Sequence, residues 1–311
     1  MSASASEAGS ANGLTYEIWD VFTDRPFAGN PLAVVFGADA LGTAQMQTLA
    51  REFNLSETIF VQAPRDPAHV ARVRIFFPTA EIPFAGHPTI GCAIALSGLA
   101  EPGPDAVAEL VLEEEAGLVP VTVTRSGGAV MAEFVAPVLP HTAPGAVDPA
   151  QVAAALGLAP GDLGCTGHPA PALWQGGPAF LYVPLRDVET LGRARPHEPA
   201  WSTIMAAGGV DSAWCYTTVP GGYQARMFSP TAGIPEDPAT GSAAAIFAAE
   251  LAERGLLAGP VTRLDIAQGV EMGRPSRIRL AVRAQDAWLT EVCVSGQAVR
   301  IANGSIMAPA N

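Results

Sequence analysis

The sequence contains no lysine, so all 17 of its basic residues are arginines. Pyridoxal-phosphate enzymes, Schiff-base aldolases and P-loop NTPases each need a lysine amine at a defined position, and their classes are therefore excluded. Against these arginines stand 30 acidic residues, which leave a net charge of −13 and no basic run. A chain this acidic is poorly suited to bind nucleic acid or an anionic membrane surface.

Cysteine is scarce too, and its spacing indicates no metal site. The four cysteines are scattered, without a C-x-x-C pair or a histidine at ligand spacing, and we interpret them as reduced packing residues: Cys92, Cys165, Cys215 and Cys293. Residues 1–13 lack a basic start and an apolar run, which predicts a flexible tail rather than a signal peptide. We therefore expect a cytoplasmic protein. Residues 82–100 carry no charge apart from His87, but they leave only about thirteen residues for a helix, too few to cross a bilayer. They predict a buried helix.

An internal repeat is the most informative feature that is present. Residues 74–83 recur as residues 226–235, with seven of ten positions identical at a constant offset of 152. Both copies continue through a short loop into an apolar segment of small residues. Chance is an alternative in a chain so rich in Ala, Gly and Pro, but the shared context favours a duplication. The repeat predicts two related halves, each bringing a loop and a helix N-terminus to a shared cleft.

Hydrophobic periodicity predicts several short strands and one strongly apolar helix in each half, arranged as strands around a central helix. Helices are predicted at residues 43–53, 88–99, 149–156 and 240–254. The Pro- and Ala-rich stretch 137–149 is the best candidate for a boundary. We therefore expect domains at 14–138 and 139–303, between tails at 1–13 and 304–311, with terminal strands free to cross between the halves.

The second repeat loop, residues 236–242, is a candidate binding site. It opens a helix whose small residues after Thr240 let a ligand approach free backbone N–H groups, and the helix dipole favours an anion such as a carboxylate there. Asp237 or Thr240 could instead simply cap the helix, and the local pattern by itself favours capping.

Two further titratable residues are candidates. His87 lies at the matching place in the first half; such a histidine is ordinarily a structural hydrogen-bonding residue, but the glycines and prolines around it favour a site. Glu57 lies between Ser56 and an apolar strand, where spacing alone favours a helix-end cap or a solvated loop carboxylate. The acidic run at 113–115 predicts a solvated edge. The sequence has no GxSxG, HExxH or strand-linked GxGxxG motif.

Five motifs, in order, resemble those of the PhzF-like family, the phenazine-biosynthesis isomerases and their relatives. The resemblance covers about residues 15–303. The motifs are Asp-Val-Phe-Thr (20–23) with Phe-Ala-Gly-Asn-Pro-Leu-Ala-Val (27–34), Asn-Leu-Ser-Glu-Thr (54–58), Phe-Ala-Gly-His-Pro-Thr (84–89), Asp-Pro-Ala-Thr-Gly-Ser (237–242), and Gln-Gly (268–269) with Met-Gly-Arg-Pro-Ser (272–276).

The resemblance implies an α+β, diaminopimelate-epimerase-like fold: two similar domains, each a β-barrel-like sheet wrapped around a central α-helix, with the active site in the cleft between them. It also implies a homodimer and no cofactor. Epimerases of that wider fold use a pair of cysteines as acid and base. The equivalent loops here carry Ala85 and Asp237-Pro238 instead, which disfavours two-cysteine racemisation. The family's glutamate matches Glu57, and its partners match His87, Asp237 and Ser242.

Together these observations predict a cofactor-independent isomerase that moves a proton between carbons of a small carboxylate-bearing substrate. Burial would raise the pKa of Glu57 and suit it to take and return the proton. His87 and Asp237 would orient the substrate or stabilise charge. Substrate binding is assigned to the backbone and side chains of Gly86, Gly241, Ser242 and Asn30.

Two alternatives stay open. An amino-acid epimerase or racemase on the same fold would need an acid and a base on opposite faces of its substrate, and Glu57 with Asp237 could supply them. A non-catalytic protein that binds a small ligand in the same cleft is the other alternative. The actual substrate, phenazine-related or not, is left open by the sequence.

Overall fold

The computed structural model describes residues 13–285 and 288–310. The flexible tail predicted at 1–13 lies outside them, except for Gly13, where the first strand begins. The strands are β1 (Gly13–Val21), β2 (Asn30–Phe36), β3 (Glu57–Gln62), β4 (Ala71–Phe76), β5 (Glu81–Ile82), β6 (Ala106–Glu114), β7 (Gly117–Ser126), β8 (Ala129–Val135), β9 (His141–Thr142), β10 (Ala172–Gln175), β11 (Ala179–Pro184), β12 (Ala213–Val219), β13 (Gly222–Ser229), β14 (Ile234–Asp237), β15 (Val261–Gln268), β16 (Ser276–Gln285) and β17 (Trp288–Met307).

The helices confirm the four predicted ones to within a few residues and add two. They are α1 (Thr43–Phe53), α2 (Gly86–Ser97), α3 (Pro149–Ala155), α4 (Val188–Arg193), α5 (Ala200–Gly208) and α6 (Gly241–Glu253), with 3₁₀ turns at Ala38–Ala40, Pro160–Asp162 and Pro230–Ala232. Helices α4 and α5 were not predicted. The first is only six residues long, and its one clear signal is the capping carboxylate of Asp187, which accepts the N–H of Thr190. Within the described part of the chain no helix is both long and apolar enough to span a membrane.

The strands of the first half close into a ring around α2. Following the hydrogen-bonded neighbours gives β1, β2, β3, β4, β6, β7, β8, β17 and then β1 again, with parallel pairs at β2–β3 and β4–β6. The first nine residues of α2, from Gly86 to Ile94, are all buried. A helix that is apolar all round must be enclosed on every side, which explains why the ring closes on it.

The second half repeats this pairing order around α6. Its strands run β9, β10, β11, β12, β13, β15, β16 and β17, and the parallel pairs recur at the matching positions, β11–β12 and β13–β15. Helix α6 is buried from Gly241 to Leu251. The pairing order therefore supports the duplication read from the repeat.

Strand β17 belongs to both halves. Its first part pairs with β16 and β8, and its second part pairs with β1 as far as the Gly13–Met307 pair. The prediction of a tail beginning at residue 304 is wrong, because backbone pairing with β1 continues to Met307. The terminal strand crosses between the halves as the sequence allowed, and the boundary after residue 138 stays a prediction.

The repeated segments form matching ion pairs. Arg74 donates a fork of two hydrogen bonds to Glu81 (2.7 and 2.6 Å), and Arg226 donates the same fork to Glu236 (2.7 and 2.8 Å). Both arginines also stack on the phenylalanine two residues later. Glu236 follows its arginine by ten residues and Glu81 by seven. The two halves therefore form the same ion-pair geometry with glutamates from non-equivalent positions of the repeat.

The acidic run at 113–115 is not a solvated edge, which corrects the sequence-based prediction. Glu113 accepts the backbone N–H groups of Arg65 and Asp66 and is buried. Glu114 is buried on the opposite face of β6, and only Glu115 is exposed. The prediction failed because β6 continues through Glu114, and strand alternation sends these neighbouring carboxyls to two enclosed sites.

Candidate active site

The N-termini of the two central helices meet, glycine against glycine. A Cβ placed on Gly86 would lie 2.7 Å from the Cα of Gly241, and one on Gly241 would lie 3.0 Å from the Cα of Gly86. Only glycine at both positions lets the two helix ends come this close without being pushed apart. The free N–H groups and the positive dipole ends of α2 and α6 therefore converge, which is a suitable environment for an anion.

A cleft of about 650 Å³ lies beside this junction. Glu57, Thr240 and Ser242 contribute its polar wall near the helix ends. The rest is mainly apolar and comes from both halves: Phe77, Ile82, Pro83, Phe84, Ala85, Phe180, Met205, Val210, Met227 and Ile234. The two repeat turns also touch, since the hydroxyl of Thr79 donates to the carbonyl of Ala232 (3.1 Å). The repeat thus brings its two copies together at the cleft.

Glu57 is the titratable group in the cleft wall. It is the first residue of β3 and only 6% exposed, so it is neither a helix cap nor a solvated loop carboxylate. Burial, and secondly the charge of Asp237, raise its pKa well above the usual range. Its Oε2 lies 3.4 Å from Nδ1 of His87 and has no hydrogen-bond partner. Glu57 therefore lines a ligand-sized space with a buried carboxyl, one oxygen of which faces His87 without a hydrogen-bond partner.

His87 is a neutral imidazole behind Glu57. It is the second residue of α2, and burial lowers its pKa to about 3. Its Nδ1 lies 3.2 Å from the amide nitrogen of Asn30, while its Nε2 is buried without a hydrogen-bond partner. A hydrogen bond with the backbone of Pro31 opposes this lowering of the pKa and holds the ring from the first half.

Asp237 is the last residue of β14 and approaches His87 from the other half. Its Oδ1 accepts the Asn30 amide (2.8 Å), and its Oδ2 accepts the Thr240 hydroxyl (2.6 Å). Burial raises its pKa to about 6, against the lowering effect of these hydrogen bonds. Thr240 is the N-cap residue of α6, yet its own side chain accepts no helix N–H group, and its backbone N–H donates to Gln268 (3.3 Å). The capping alternative for Asp237 and Thr240 is therefore wrong.

Asn30 joins the two halves rather than lining the cleft. It is fully buried, and its amide nitrogen donates to Asp237 and to the carbonyl of Ala239 (2.9 Å). Its Oδ1 is left without a partner. The loop before it is held from the second half, because Arg274 donates to the carbonyls of Ala28 (2.9 Å) and Gly29 (2.8 Å). Direct contact of Asn30 with a substrate stays a prediction.

Gln268 is a site residue to which the sequence analysis assigned no role. From the end of β15 its amide nitrogen donates to the carbonyl of Asp237 (2.8 Å) and to the hydroxyl of Thr240 (2.9 Å). Its oxygen accepts the indole N–H of Trp214 (3.2 Å). The one available signal was its place in the Gln-Gly motif. Gly269 has a φ of +72°, and a side chain there would collide with the carbonyl of Pro238. Gln268 fixes the orientation of the Asp237 loop.

The arrangement can bind a carboxylate and move a proton. The helix ends supply donors for an anion, while Glu57 supplies a buried carboxyl of raised pKa in an apolar wall. Four of the predicted residues meet in one network, namely Glu57, His87, Asp237 and Asn30, with Gly86, Gly241 and Ser242 beside it. Among the described residues no group of three or more His, Cys, Asp or Glu side chains could hold a metal ion.

Comparisons with known proteins agree with this architecture. The profile of the family described as phenazine biosynthesis-like protein matches residues 19–304. An uncharacterized isomerase of Mesorhizobium japonicum is 43% identical over 298 residues, covering 94% of this chain and 98% of that one. The trans-2,3-dihydro-3-hydroxyanthranilate isomerase of Pseudomonas fluorescens is 37% identical over 297 residues, covering 94% and 99%.

Solved structures show the same fold. A Bacillus anthracis phenazine biosynthesis protein of the PhzF family superposes with a TM-score of 0.82 at 24% identity, covering 95% of this chain and 99% of that one. A hydroxyproline epimerase of Agrobacterium vitis superposes with a TM-score of 0.61 at 14% identity, covering 95% and 91%. The predicted epimerase-like α+β fold and the predicted isomerase class are thereby confirmed. The chain belongs to the phenazine biosynthesis-like, or PhzF, family.

Proposed function

We propose that this protein is a cofactor-independent isomerase that moves a proton between two carbons of a small cyclic carboxylate, with Glu57 as the general acid and base. One observation carries the proposal: the carboxyl of Glu57 is buried, has a free oxygen and lies in an apolar cleft next to the paired helix N-termini. An anchored anion and a proton-transferring group therefore lie side by side.

The substrate carboxylate would lie at the helix ends. The N–H groups of Gly241 and Ser242 and the Ser242 hydroxyl would donate to it, with the N–H of Gly86 facing them from α2. The apolar wall would then enclose the rest of the molecule, which favours an unsaturated ring over a chain rich in hydroxyl groups. The substrate named for the Pseudomonas fluorescens isomerase, trans-2,3-dihydro-3-hydroxyanthranilate, fits this shape.

The reaction would begin with ionised Glu57 taking a proton from a ring carbon. As that C–H bond breaks, its electron pair shifts a double bond, and a new C–H bond forms where Glu57 returns the proton. The substrate keeps its composition throughout. A raised pKa suits Glu57 to both steps, because proton transfer is most efficient when the catalytic group titrates near the working pH. Behind the cleft wall, the neutral ring of His87 and the Asp237–Asn30 pair would orient the Glu57 carboxyl.

Epimerisation with Glu57 and Asp237 as opposed acid and base is less well supported. Both oxygens of Asp237 are already bonded, to Asn30 and Thr240, and Asp237 is not part of the cleft wall. Loss of optical purity of an amino acid in D₂O, with deuterium at its stereocentre, would favour the epimerase instead.

The test is turnover of trans-2,3-dihydro-3-hydroxyanthranilate in D₂O by the wild type, Glu57→Gln and the control Glu115→Gln. We expect a loss of at least about 100-fold for Glu57→Gln, and no loss for Glu115→Gln, whose side chain is exposed. The product should carry at most one solvent deuterium, and the amount measures how far the proton on Glu57 exchanges with solvent before it is returned. A folded Glu57→Gln variant that works at the wild-type rate would refute the role of Glu57. Thermal stabilisation of the wild type by this substrate without turnover would indicate the binding-protein alternative.

A further inference from the structure

Glu114 is a buried carboxyl that the proposed reaction does not use. It ends β6, is 8% exposed and has one oxygen without any hydrogen-bond partner. Its other oxygen lies 2.7 Å from the hydroxyl of Thr89, on the first turns of α2. None of the described basic side chains is paired with it. An ionised carboxylate in this environment would be costly, since it would be desolvated and would accept a single hydrogen bond.

The hydroxyl of Thr89 settles where the proton lies. That oxygen is 2.7 Å from Glu114 and also 2.8 Å from the carbonyl of Ala85, so two oxygen acceptors compete for its single hydrogen. If Glu114 were ionised, the single hydrogen of Thr89 would have to serve both short contacts. If Glu114 is protonated, it donates to Thr89, and Thr89 donates to Ala85. Only the protonated form satisfies both contacts.

This chain of hydrogen bonds ends at the site. Ala85 is the N-cap residue of α2 and lines the cleft, and the next two residues are Gly86 and His87. The N–H of Thr89 reaches the same carbonyl at 3.3 Å, a longer contact than that of its hydroxyl. The hydroxyl therefore makes the shorter of the two contacts that join Thr89 to the N-cap carbonyl of α2.

We propose that Glu114 is a positioning residue which, as a neutral acid, holds the first turn of α2 through Thr89 and Ala85 and so presents Gly86 and His87 to the cleft. Ionised Glu114 would draw the hydrogen of Thr89 to itself and release the side-chain bond to Ala85. Burial raises the pKa of Glu114 to about 8, which agrees with a proton present at neutral pH.

The groups around Glu114 do not offer another titration that would explain the same pH dependence. From α2 it faces Thr89, which does not titrate near neutrality, and the thiol of Cys92, whose pKa is raised by burial and by Glu114 itself. In the sheet, β7 places Gly117 opposite it, and β4 pairs Arg72 with Glu113 rather than with Glu114. Glu113, the preceding residue of β6, points to the other face of the strand, and Glu115 lies in the turn that follows and is exposed.

The location of the proton can be tested without any substrate. Between pH 4.5 and about 8 the unfolded chain has lost the Glu114 proton while the native state keeps it, so stability falls as pH rises and levels off above 8. The test is urea unfolding across this range for the wild type, Glu114→Gln and Glu115→Gln. Relative to Glu114→Gln, the unfolding constant of the wild type should rise about tenfold per pH unit. Equal slopes for the two would overturn the proposal, and Glu115→Gln should follow the wild type.

The positioning role is tested by amide hydrogen exchange of a peptide covering residues 84–92, corrected for intrinsic rates, with the start of α6 as an internal reference. We expect wild-type protection at the start of α2 to fall above about pH 8 while α6 is unchanged. Glu114→Gln should keep its protection, because the amide still donates to Thr89. Thr89→Val should lack the extra protection at every pH, and Thr89→Ser should retain it. Unchanged protection in Thr89→Val, or equal alkaline loss in wild type and Glu114→Gln, would overturn the proposal.

The consequence for the reaction rests on the proposed function and is measured separately. With trans-2,3-dihydro-3-hydroxyanthranilate as the probe, Glu114→Gln should keep the wild-type rate at pH 7 and extend activity to higher pH. If the wild type does not turn over this compound, the proposed function fails, while the unfolding and exchange results still decide the role of Glu114. If the wild type and Glu114→Gln lose activity identically at high pH, the link from Glu114 to the site is refuted.

Discussion

Replacing Gly86 with alanine tests whether the site depends on the close contact between the two central helices. The added methyl carbon would lie 2.7 Å from the Cα and 2.9 Å from the carbonyl carbon of Gly241, and 3.0 Å from the backbone nitrogen of Ser242. All three are backbone atoms and cannot turn aside as a flexible side chain could. Because carbon atoms pack at about 3.5–4.0 Å, the helix ends must separate by about 1 Å.

Overpacking of this kind costs about 1–3 kcal/mol of unfolding free energy. Alanine is also a better helix former than glycine, by up to about 1 kcal/mol, which works in the opposite direction. Gly192→Ala is the matched control, because it lies in α4 and its added methyl meets no atom within 4 Å. We therefore expect Gly86→Ala to be about 1–3 kcal/mol less stable than Gly192→Ala.

The effect on function should exceed the effect on stability. A displacement of about 1 Å at a binding and catalytic site can reduce the rate about 100-fold. Urea unfolding followed by tryptophan fluorescence measures the stability difference, and turnover of trans-2,3-dihydro-3-hydroxyanthranilate measures the loss of activity. A Gly86→Ala protein as stable and as active as Gly192→Ala would refute the inference that the helix junction needs glycine.

Two other predictions concern the contacts that hold the halves in place. Asn30→Leu removes the donor to Asp237 and Ala239 and should lower the unfolding free energy by at least about 2 kcal/mol; an unchanged urea midpoint would contradict the assigned bonds. Arg226→Met should cost about 3 kcal/mol and Arg74→Met about 1 kcal/mol, because the side chain of Arg226 is 1% exposed and that of Arg74 is 16% exposed. Equal losses in urea unfolding would show that burial does not distinguish the two pairs.

Much of the fold could be predicted from local patterns. Helix α1 has the predicted bounds, 43–53, because its apolar residues repeat at helical spacing on one buried face. The central helices could be found from stretches of small apolar residues that follow the two repeat loops. By contrast, α4 and α5 were missed, because short helices give little periodic signal and their stability comes from packing rather than propensity.

The roles of the individual site residues were predicted less well than the loops that carry them. Glu57, His87 and Asp237 were singled out from loops and resemblance, but local spacing favoured a structural role for each. Their pKa shifts arise from burial, which depends on what packs over them. Gln268 and Glu114 were given no role, because a lone glutamine and an acidic run carry no local sign of the partners that fold against them. The predicted homodimer remains a prediction.

The sequence by itself determined that the chain has two related halves, that each supplies a strand, a turn and a helix start, and that the chemistry of the two loops differs. These properties follow from residue order and periodicity, which are local. The tertiary structure decided the contact of Gly86 with Gly241 and the burial of Glu57 and Glu114. Each of these depends on distances between segments far apart in the chain, and desolvation acts only where such segments exclude water.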